Sequence, residues 1–159
     1  MMLHRLHTRS WLEDVPRRYR SVAQAKALFP GLRERRVQRR HAVTYVFTVT
    51  VPVPNYEPRG LRIEFHQGRH GSPKVFVDGP TDSPHRYRHE DDRCLCLWYP
   101  RDGHDRRWEP KEGLDRLIGM IVTHLFKEEY WRETGEWLGD EGPHGEQVHG
   151  DGGSGRHAA

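Results

Sequence analysis

Cysteine is scarce in this sequence, and long apolar runs are missing from it. Only two of the 159 residues are cysteine, Cys94 and Cys96, and a pair one residue apart is a poor framework for a disulfide-stabilised secreted fold. No run of 18 apolar residues is present, so the sequence predicts no transmembrane helix. The first residues also lack the apolar stretch of a secretory signal. We therefore expect a cytoplasmic protein in a reducing environment.

Charge is nearly balanced over the whole chain but is concentrated near its beginning. The formal net charge is only +3, yet residues 5–40 hold eleven Lys and Arg residues against three acidic ones. Such a cluster is typical either of a solvated helix face or of a surface that binds phosphate groups or an acidic protein. The aromatic residues are not interleaved with the arginines, as a base-stacking surface requires, so nucleic acid is not the favoured partner.

Alternating apolar residues predict three β-strands in succession. The first covers residues 42–54, where two prolines end it, and the second covers residues 61–65. A glycine-rich turn then leads into a third strand at residues 74–77. Three short strands joined in sequence predict an antiparallel meander.

Helical patterns lie on either side of these strands. Residues 21–29 predict a helix with Ser21 as its N-cap, and apolar residues recur at helical spacing from Leu114 to Leu125. That second helix either continues or is followed by another, with Gly135 and Gly139 as the expected breaks. The fold class is therefore α+β, with helices packed on an antiparallel sheet. We divide the chain into a basic segment (1–20), one domain (21–139) and a flexible Gly- and His-rich tail (140–159).

The segment HRYRHEDDRCLCLWYP, residues 85–100, admits three interpretations. Its side chains include ligand types that zinc prefers, but Cys-x-Cys is tighter than the spacing of common zinc sites. The candidate ligands are His85, His89, Cys94, Cys96 and His104. A disulfide between the two cysteines would span about 6.5 Å in an extended strand, near the far end of the bridging range. The third interpretation is a reactive thiol.

A reactive Cys96 would gain support from its basic neighbours. Arg93, His85 and His89 would favour the thiolate electrostatically. The alternative is that Cys96 is a small core residue, because free cysteine is often fully buried. Local chemistry leaves these two interpretations open.

A series of short motifs resembles the ubiquitin-conjugating enzymes. The motifs are Pro73-Lys74-Val75, Pro84-His85, Cys96-Leu97 and Trp108-Glu109-Pro110, in the order of that family's strand, His-Pro-Asn loop, catalytic Cys-Leu and Trp-x-Pro. The chain is more similar to a bacterial branch of the family, found in antiviral defence operons such as CBASS. The motifs of that branch are FPG (29–31), PHxY (84–87), LCL (95–97) and TGEW (134–137), and they cover residues 20 to about 144.

The resemblance implies a fold and a reaction. The fold is the ubiquitin-conjugating (UBC-like) fold, with an N-terminal helix, a β-meander and C-terminal helices. Cys96 would form a thioester with the C-terminus of a partner protein, such as a cGAS-like nucleotidyltransferase, and pass it to an amine. His85 would order the loop or stabilise the oxyanion, and Trp108 and Pro110 would be structural. Neither a metal nor another cofactor is expected.

The same resemblance gives the basic cluster a role in binding a partner. The first helix of ubiquitin-conjugating enzymes docks an activating enzyme, so basic residues here would meet an acidic face of a partner. The residues are Arg17, Arg18, Arg20, Lys26 and Arg33, together with Arg35 and Arg36. Whether an activating enzyme is required is left open.

One departure from the family pattern concerns the oxyanion. The Asn of the His-Pro-Asn loop is missing, and Arg86, Tyr87 and His89 are the candidates to replace it. Asp91, Asp92 and Asp102 are candidates to orient the incoming amine. The missing Asn keeps a non-catalytic binding adaptor of the same fold as an alternative. A cysteine hydrolase and a zinc-binding interaction protein are further alternatives.

Overall fold

The chain forms one antiparallel sheet flanked by two helices. The structure, a computed structural model, describes residues 10–68, 70, 72–87, 93–99 and 101–139. In chain order the elements are α1 (Val15–Leu28), β1 (Arg33–Arg39), β2 (Ala42–Val53), β3 (Tyr56–His66), β4 (Lys74–Val77), a 3-10 turn (Pro110–Glu112) and α2 (Leu114–Thr134). The strands pair in the order β1-β2-β3-β4, each antiparallel to its neighbour. The α+β class and the meander are confirmed.

The predicted start of the first helix is wrong. Helix α1 begins at Val15 rather than Ser21, and the Asp14 side chain caps it by accepting a hydrogen bond from the Arg17 amide at 3.1 Å. The helix therefore crosses the proposed boundary at residue 20, while the division of the chain into segments stays a prediction. Residues 140–159, the proposed tail, lie outside the described residues.

Ser21 has a different partner from the one that its sequence position indicated. It is buried inside α1, and its Oγ accepts a hydrogen bond at 2.9 Å from the amide of Leu114, the first residue of α2. Gly113, which precedes α2, provides no side-chain cap. A serine of one helix therefore supplies the N-terminal hydrogen bond of the other.

Strand β1 was not predicted from the sequence. Its residues, RERRVQR, are all exposed except the half-buried Val37, so no apolar alternation marks it. It pairs with β2 from Arg33 opposite Thr48 to Arg39 opposite Ala42. Charged side chains are a common feature of such edge strands, because they discourage further strand pairing. The three predicted strands are confirmed as β2, β3 and β4, with β3 longer than expected.

The core lies between one face of the sheet and the two helices. Alternate residues of β2 and β3, including Phe47, Ile63 and Phe65, are fully buried against apolar residues of α2. Trp108 is also buried, and its ring lies 5.7 Å from that of Phe65 and 6.0 Å from that of Trp11. The indole N–H of Trp108 donates to the Gly113 carbonyl at 2.8 Å. Its predicted structural role agrees with this environment.

Helix α2 is one continuous element of 21 residues. It ends at Gly135, whose φ of 78° is left-handed and favours glycine, so the predicted break at this residue is confirmed. Of the two alternatives left open by the sequence, the continuation of this helix is the one observed. Among the residues that the structure describes, neither helix combines the length and apolar character that crossing a membrane requires.

Candidate functional site

Two short segments carry Cys96 and His85 and pair with each other. Arg86 and Leu95 form an antiparallel bridge, and the Cys96 amide donates to the His85 carbonyl at 2.9 Å. On the other side of the bridge, the Tyr87 amide donates to the Cys94 carbonyl at 3.0 Å. The Leu95 amide donates to the Val75 carbonyl at 2.8 Å, which ties this small ladder to β4. Cys96 and His85 are therefore opposite residues on paired backbone segments.

Both residues line one cavity of about 440 Å³. The cavity lies between the segment that follows Cys96 and the exposed face of α2, and Trp137 lines it as well. Cys96 is half-buried, whereas Cys94 is almost fully buried and is not among the described residues that line this cavity. The two cysteines, both free, therefore differ in access to solvent.

His85 is held by aromatic neighbours. It is 5% exposed, and its ring stacks on that of Trp137 with 3.6 Å between centroids and 24° between planes. The ring of His124 from α2 lies edge-on to His85 at 6.0 Å and to Trp137 at 5.3 Å. Sequence reasoning did not identify His124 and gave Trp137 no role beyond its place in TGEW. No local signal could have found them, because they approach His85 only through folding.

The environment of Cys96 favours the protonated thiol. Burial raises its pKa above the ordinary value, a hydrogen bond with the Tyr87 side chain lowers it, and the charge of Asp102 raises it. The net direction is upward, so the expectation of a thiolate-favouring environment is wrong. The guanidinium of Arg93 donates a hydrogen bond to the Thr81 carbonyl at 2.9 Å.

Of the candidates for the missing Asn, Arg86 and Tyr87 lie within the described residues, and Tyr87 hydrogen-bonds the thiol of Cys96. Arg86 is instead committed to a buried ion pair with Glu128 of α2, in which Nε–Oε1 is 2.9 Å and Nη2–Oε2 is 2.8 Å. His89 lies outside the described residues, as do Asp91 and Asp92. Asp102 lines the cavity, and its carboxylate accepts the Tyr99 amide at 2.8 Å.

The pKa of Glu128, the acidic partner of Arg86, is strongly lowered. Burial alone would raise the pKa of Glu128, but the nearby His124, whose Nε2 lies 3.7 Å from Oε1, and the two hydrogen bonds and the charge of Arg86 lower it to about 2. Arg132, one turn further along α2, lies 3.5 Å from Glu128 and also pairs with Asp82 at 2.8 Å. Two arginines therefore fasten the segment 82–87 to α2.

The metal interpretation finds no supporting cluster in the part of the chain that the structure describes. Among those residues, no group of three or more His, Cys, Asp or Glu side chains is arranged to hold a metal ion. Of the candidate ligands, His85 packs between rings, and His104 is exposed and bonded to Glu109. His89 lies outside the described residues.

The proposed partner-binding residues lie away from the cavity. Arg17, Arg20, Lys26 and Arg33 are exposed, the first three on α1 and Arg33 on β1. Arg18 is half-buried, because it pairs with Glu34 at 3.2 Å and hydrogen-bonds the Leu12 carbonyl and the Tyr45 hydroxyl. None of these five lines the Cys96 cavity within the described residues. Their role in binding stays a prediction.

Comparison with known proteins gives one family. The sequence model of the family described as "Type II CBASS E2 protein" matches residues 21–145. No curated protein matches the chain. The matched range contains all of the described residues that line the Cys96 cavity.

Proposed function

The chain belongs to the Type II CBASS E2 family, and from this membership we propose that it is a UBC-fold transferase that uses Cys96 as its nucleophile. It carries the C-terminus of a partner protein as a thioester and passes it to an amine. The observation that supports this most directly is the pairing of Cys96 with His85 at a cavity that opens beside α2. A half-buried thiol at the edge of such a cavity can accept an acyl group and still be reached by a second substrate.

In the first step the Cys96 sulfur attacks the carbonyl carbon of an activated C-terminus. The new bond is C–S, and the bond that breaks joins the carbonyl to its activating group, either the AMP of an acyl-adenylate or the thiolate of an activating enzyme. The thiol proton passes to solvent or to the leaving group. Because the pKa of Cys96 is raised, this step requires the carrier of the acyl group to favour the thiolate, by placing a positive charge or a hydrogen-bond donor near the sulfur.

In the second step an amine attacks the thioester carbonyl. A C–N bond forms, the C–S bond breaks, Cys96 leaves as a thiolate that regains a proton, and the amine loses one to solvent. The tetrahedral oxyanion needs a hydrogen-bond donor. We assign this donor role to the Tyr87 hydroxyl, which hydrogen-bonds the sulfur in the unloaded enzyme, and a loop-ordering role to His85. Asp102, which lines the same cavity, orients the amine.

The donor protein we propose is a cGAS-like nucleotidyltransferase of a bacterial antiphage system, in keeping with the family. The exposed basic residues Arg17, Arg20, Lys26 and Arg33 then contact an acidic face of the donor or of an activating enzyme. The reaction takes place in the cytoplasm and uses no metal or other cofactor of the transferase. Arg18 contributes less to binding than these four, because it is already paired with Glu34.

A trap for the acyl intermediate tests the proposal. Cys96→Lys replaces a labile thioester by a stable amide. When this variant is expressed together with the proteins of the neighbouring genes, residue 96 should become linked to the C-terminus of another protein. Cys96→Ala is the matched control and should carry no adduct. Peptide mass spectrometry locates the linkage and names the donor. The proposal would be contradicted if neither variant carried an adduct and Cys96 of the wild-type protein were never acylated.

The second candidate is a binding adaptor of the same fold without chemistry. Two observations favour it, the missing Asn and the raised pKa of Cys96. An adaptor would bind the donor protein with similar affinity whether residue 96 is Cys or Ala and would form no adduct in the trap. A transferase would require Cys96 for transfer.

A further inference from the structure

The cavity beside Cys96 continues as a groove along α2. The helix contributes residues at intervals of three and four positions, so they share one face, and the segment after Cys96 forms the opposite wall. The α2 residues at the two ends of this face are Arg116 and Lys127. At a rise of 1.5 Å per residue the face is about 16 Å long. An extended chain advances about 3.3 Å per residue, so roughly five residues fill this length.

About one helical turn from the Arg116 end, the groove contains a glycine inside a helix. Gly119 is exposed, lies well within α2, and would have no heavy atom within 4 Å of a Cβ built at this position. Glycine is less favourable than alanine in a helix interior, and the protein's own packing gives no reason for it here. A missing side chain instead allows another backbone to approach closely. The backbone of a bound peptide can therefore contact α2 directly at Gly119.

The charges of the described residues that line the groove are mostly positive. Among these residues, Arg106, Arg116 and Lys127 stand against one carboxylate, that of Asp102, which already accepts the Tyr99 amide. Within the described residues, Arg116 and Lys127 form no ion pair with a carboxylate. A ligand that carries acidic side chains would offset these charges, whereas a basic ligand would be repelled.

We propose that this groove binds an acidic C-terminal peptide in extended form. Its backbone runs along α2 and approaches the helix most closely at Gly119, its acidic side chains contact Arg116 and Lys127, and its last residue reaches Cys96. The inference rests on the proposed function, since it names the class of tail that the transferase accepts, and it makes Gly119 a residue that the bound backbone contacts.

Fluorescence polarisation with two labelled octapeptides tests the proposal on the full chain. One peptide carries Glu and Asp residues before a small-residue C-terminus with a free carboxylate. The other has each Glu replaced by Gln and each Asp by Asn. At low ionic strength the acidic peptide should bind at least about fivefold more tightly, and added salt should reduce the difference. Equal affinities, or no binding of either peptide up to about 1 mM, would overturn the proposal.

Matched variants separate the two features of the groove. Lys127→Glu should remove the preference for the acidic peptide, whereas Arg39→Glu, an equal change of charge on the exposed end of β1, should keep it. Gly119→Gln should weaken both peptides by roughly tenfold, because its side chain occupies the path of the backbone. Gly31→Gln is the control, since Gly31 also has open space around it and does not line the groove. If each groove variant changed the peptide affinities no more than its control variant does, the assignment of the peptide to this groove would be contradicted.

The peptide experiment does not depend on chemistry at Cys96. If the acidic peptide binds as expected but Cys96→Lys traps no adduct, the groove stands and the transferase proposal fails. If the trap captures a donor but the acidic and neutral peptides bind equally, the transferase stands and the groove assignment is wrong.

Discussion

Arg86 and Glu128 meet in two parallel hydrogen bonds, with both side chains almost completely buried. Arg86 follows His85 in the chain, and Glu128 belongs to α2, so the pair fastens the segment beside Cys96 to the longest helix. A buried ion pair of this geometry is costly to break by removing one partner, because the remaining charge is left in a poorly solvated place. The pair therefore connects the segment that contains His85 to the helix that lines the cavity.

Removing the charge of Glu128 should destabilise the protein. We expect Glu128→Gln to lower the free energy of unfolding by about 3 kcal/mol, since Arg86 then keeps a buried charge without a counter-ion. Glu57→Gln, the same change at an exposed position of β3, should stay within about 0.5 kcal/mol of wild type. Urea denaturation at pH 7 measures both. The double variant Arg86→Met/Glu128→Leu should be more stable than Glu128→Gln, and the opposite order would show that the ion pair itself is not the cause.

The same pair predicts a dependence of stability on pH. Glu128 has a folded-state pKa of about 2 against an ordinary value of 4.5. Because the folded-state pKa is lower, its stabilising contribution is complete above about pH 4.5 and is lost as the pH falls towards 2. The difference corresponds to roughly 3 kcal/mol. Between pH 6 and pH 3, the free energy of unfolding measured by urea denaturation should therefore fall less for Glu128→Gln than for wild type. Equal falls for the two proteins would contradict this prediction.

The contact between Ser21 and α2 predicts a loss of stability through a helix end. Ser21→Ala removes the acceptor for the Leu114 amide, which is then buried without that hydrogen bond, so unfolding should become easier by about 1–2 kcal/mol. Thr123→Ala is a control, because its hydroxyl is exposed and donates to Gly119 within the same helix. We expect the control to change stability by less than about 0.5 kcal/mol. Thermal unfolding followed by circular dichroism distinguishes the two variants.

The thiol of Cys96 should react slowly at neutral pH and faster as the pH rises. Asp102→Asn should lower its pKa by removing a nearby negative charge, so alkylation by iodoacetamide at pH 7.5 should accelerate by about threefold or more. Tyr87→Phe should raise the pKa further and slow the reaction. Asp105→Asn is the matched control on an exposed residue of the same loop. Identical rate–pH profiles for Asp102→Asn and wild type would show that Asp102 does not act on the thiol.

Trp137 should protect the His85 ring from modification. Trp137→Ala removes the stacked indole, so diethyl pyrocarbonate should modify His85 at least about threefold faster, while Trp137→Phe should keep much of the protection. The exposed His41 provides an internal reference rate in the same sample. Peptide mass spectrometry measures both sites. An unchanged ratio of His85 to His41 modification in Trp137→Ala would contradict the protective role of the stack.

Prediction from the sequence succeeded where burial left a periodic pattern. Strand β2 alternates buried and exposed residues over much of its length, and α2 buries Leu114, Leu117, Ile118 and Ile121 at helical spacing, so both were found. Strand β1 was missed because nearly all of its side chains are exposed and carry no alternation. The start of α1 was missed because Ser21 looked like a cap, while the residue that caps the helix is Asp14.

At the candidate site, the order of the short motifs in the sequence already assigned Cys96 and His85 to the same site. The remaining members of the site came from distant parts of the chain. His124 and Glu128 lie on the helix that also supplies the core, and Trp137 lies just beyond its end. Their types and spacing look like those of an ordinary amphipathic helix, so no sequence pattern separates them from structural residues.

The amino-acid order alone accounts for the α+β class, three of the four strands, the long second helix and the family resemblance around Cys96. These features depend on periodicity and short motifs, which are local properties of the chain. The state of the thiol, the commitment of Arg86 to Glu128, the stacking of Trp137 on His85 and the groove past Gly119 arise only when distant segments pack together. Burial and charge–charge distances control each of them, and neither quantity exists until the chain has folded.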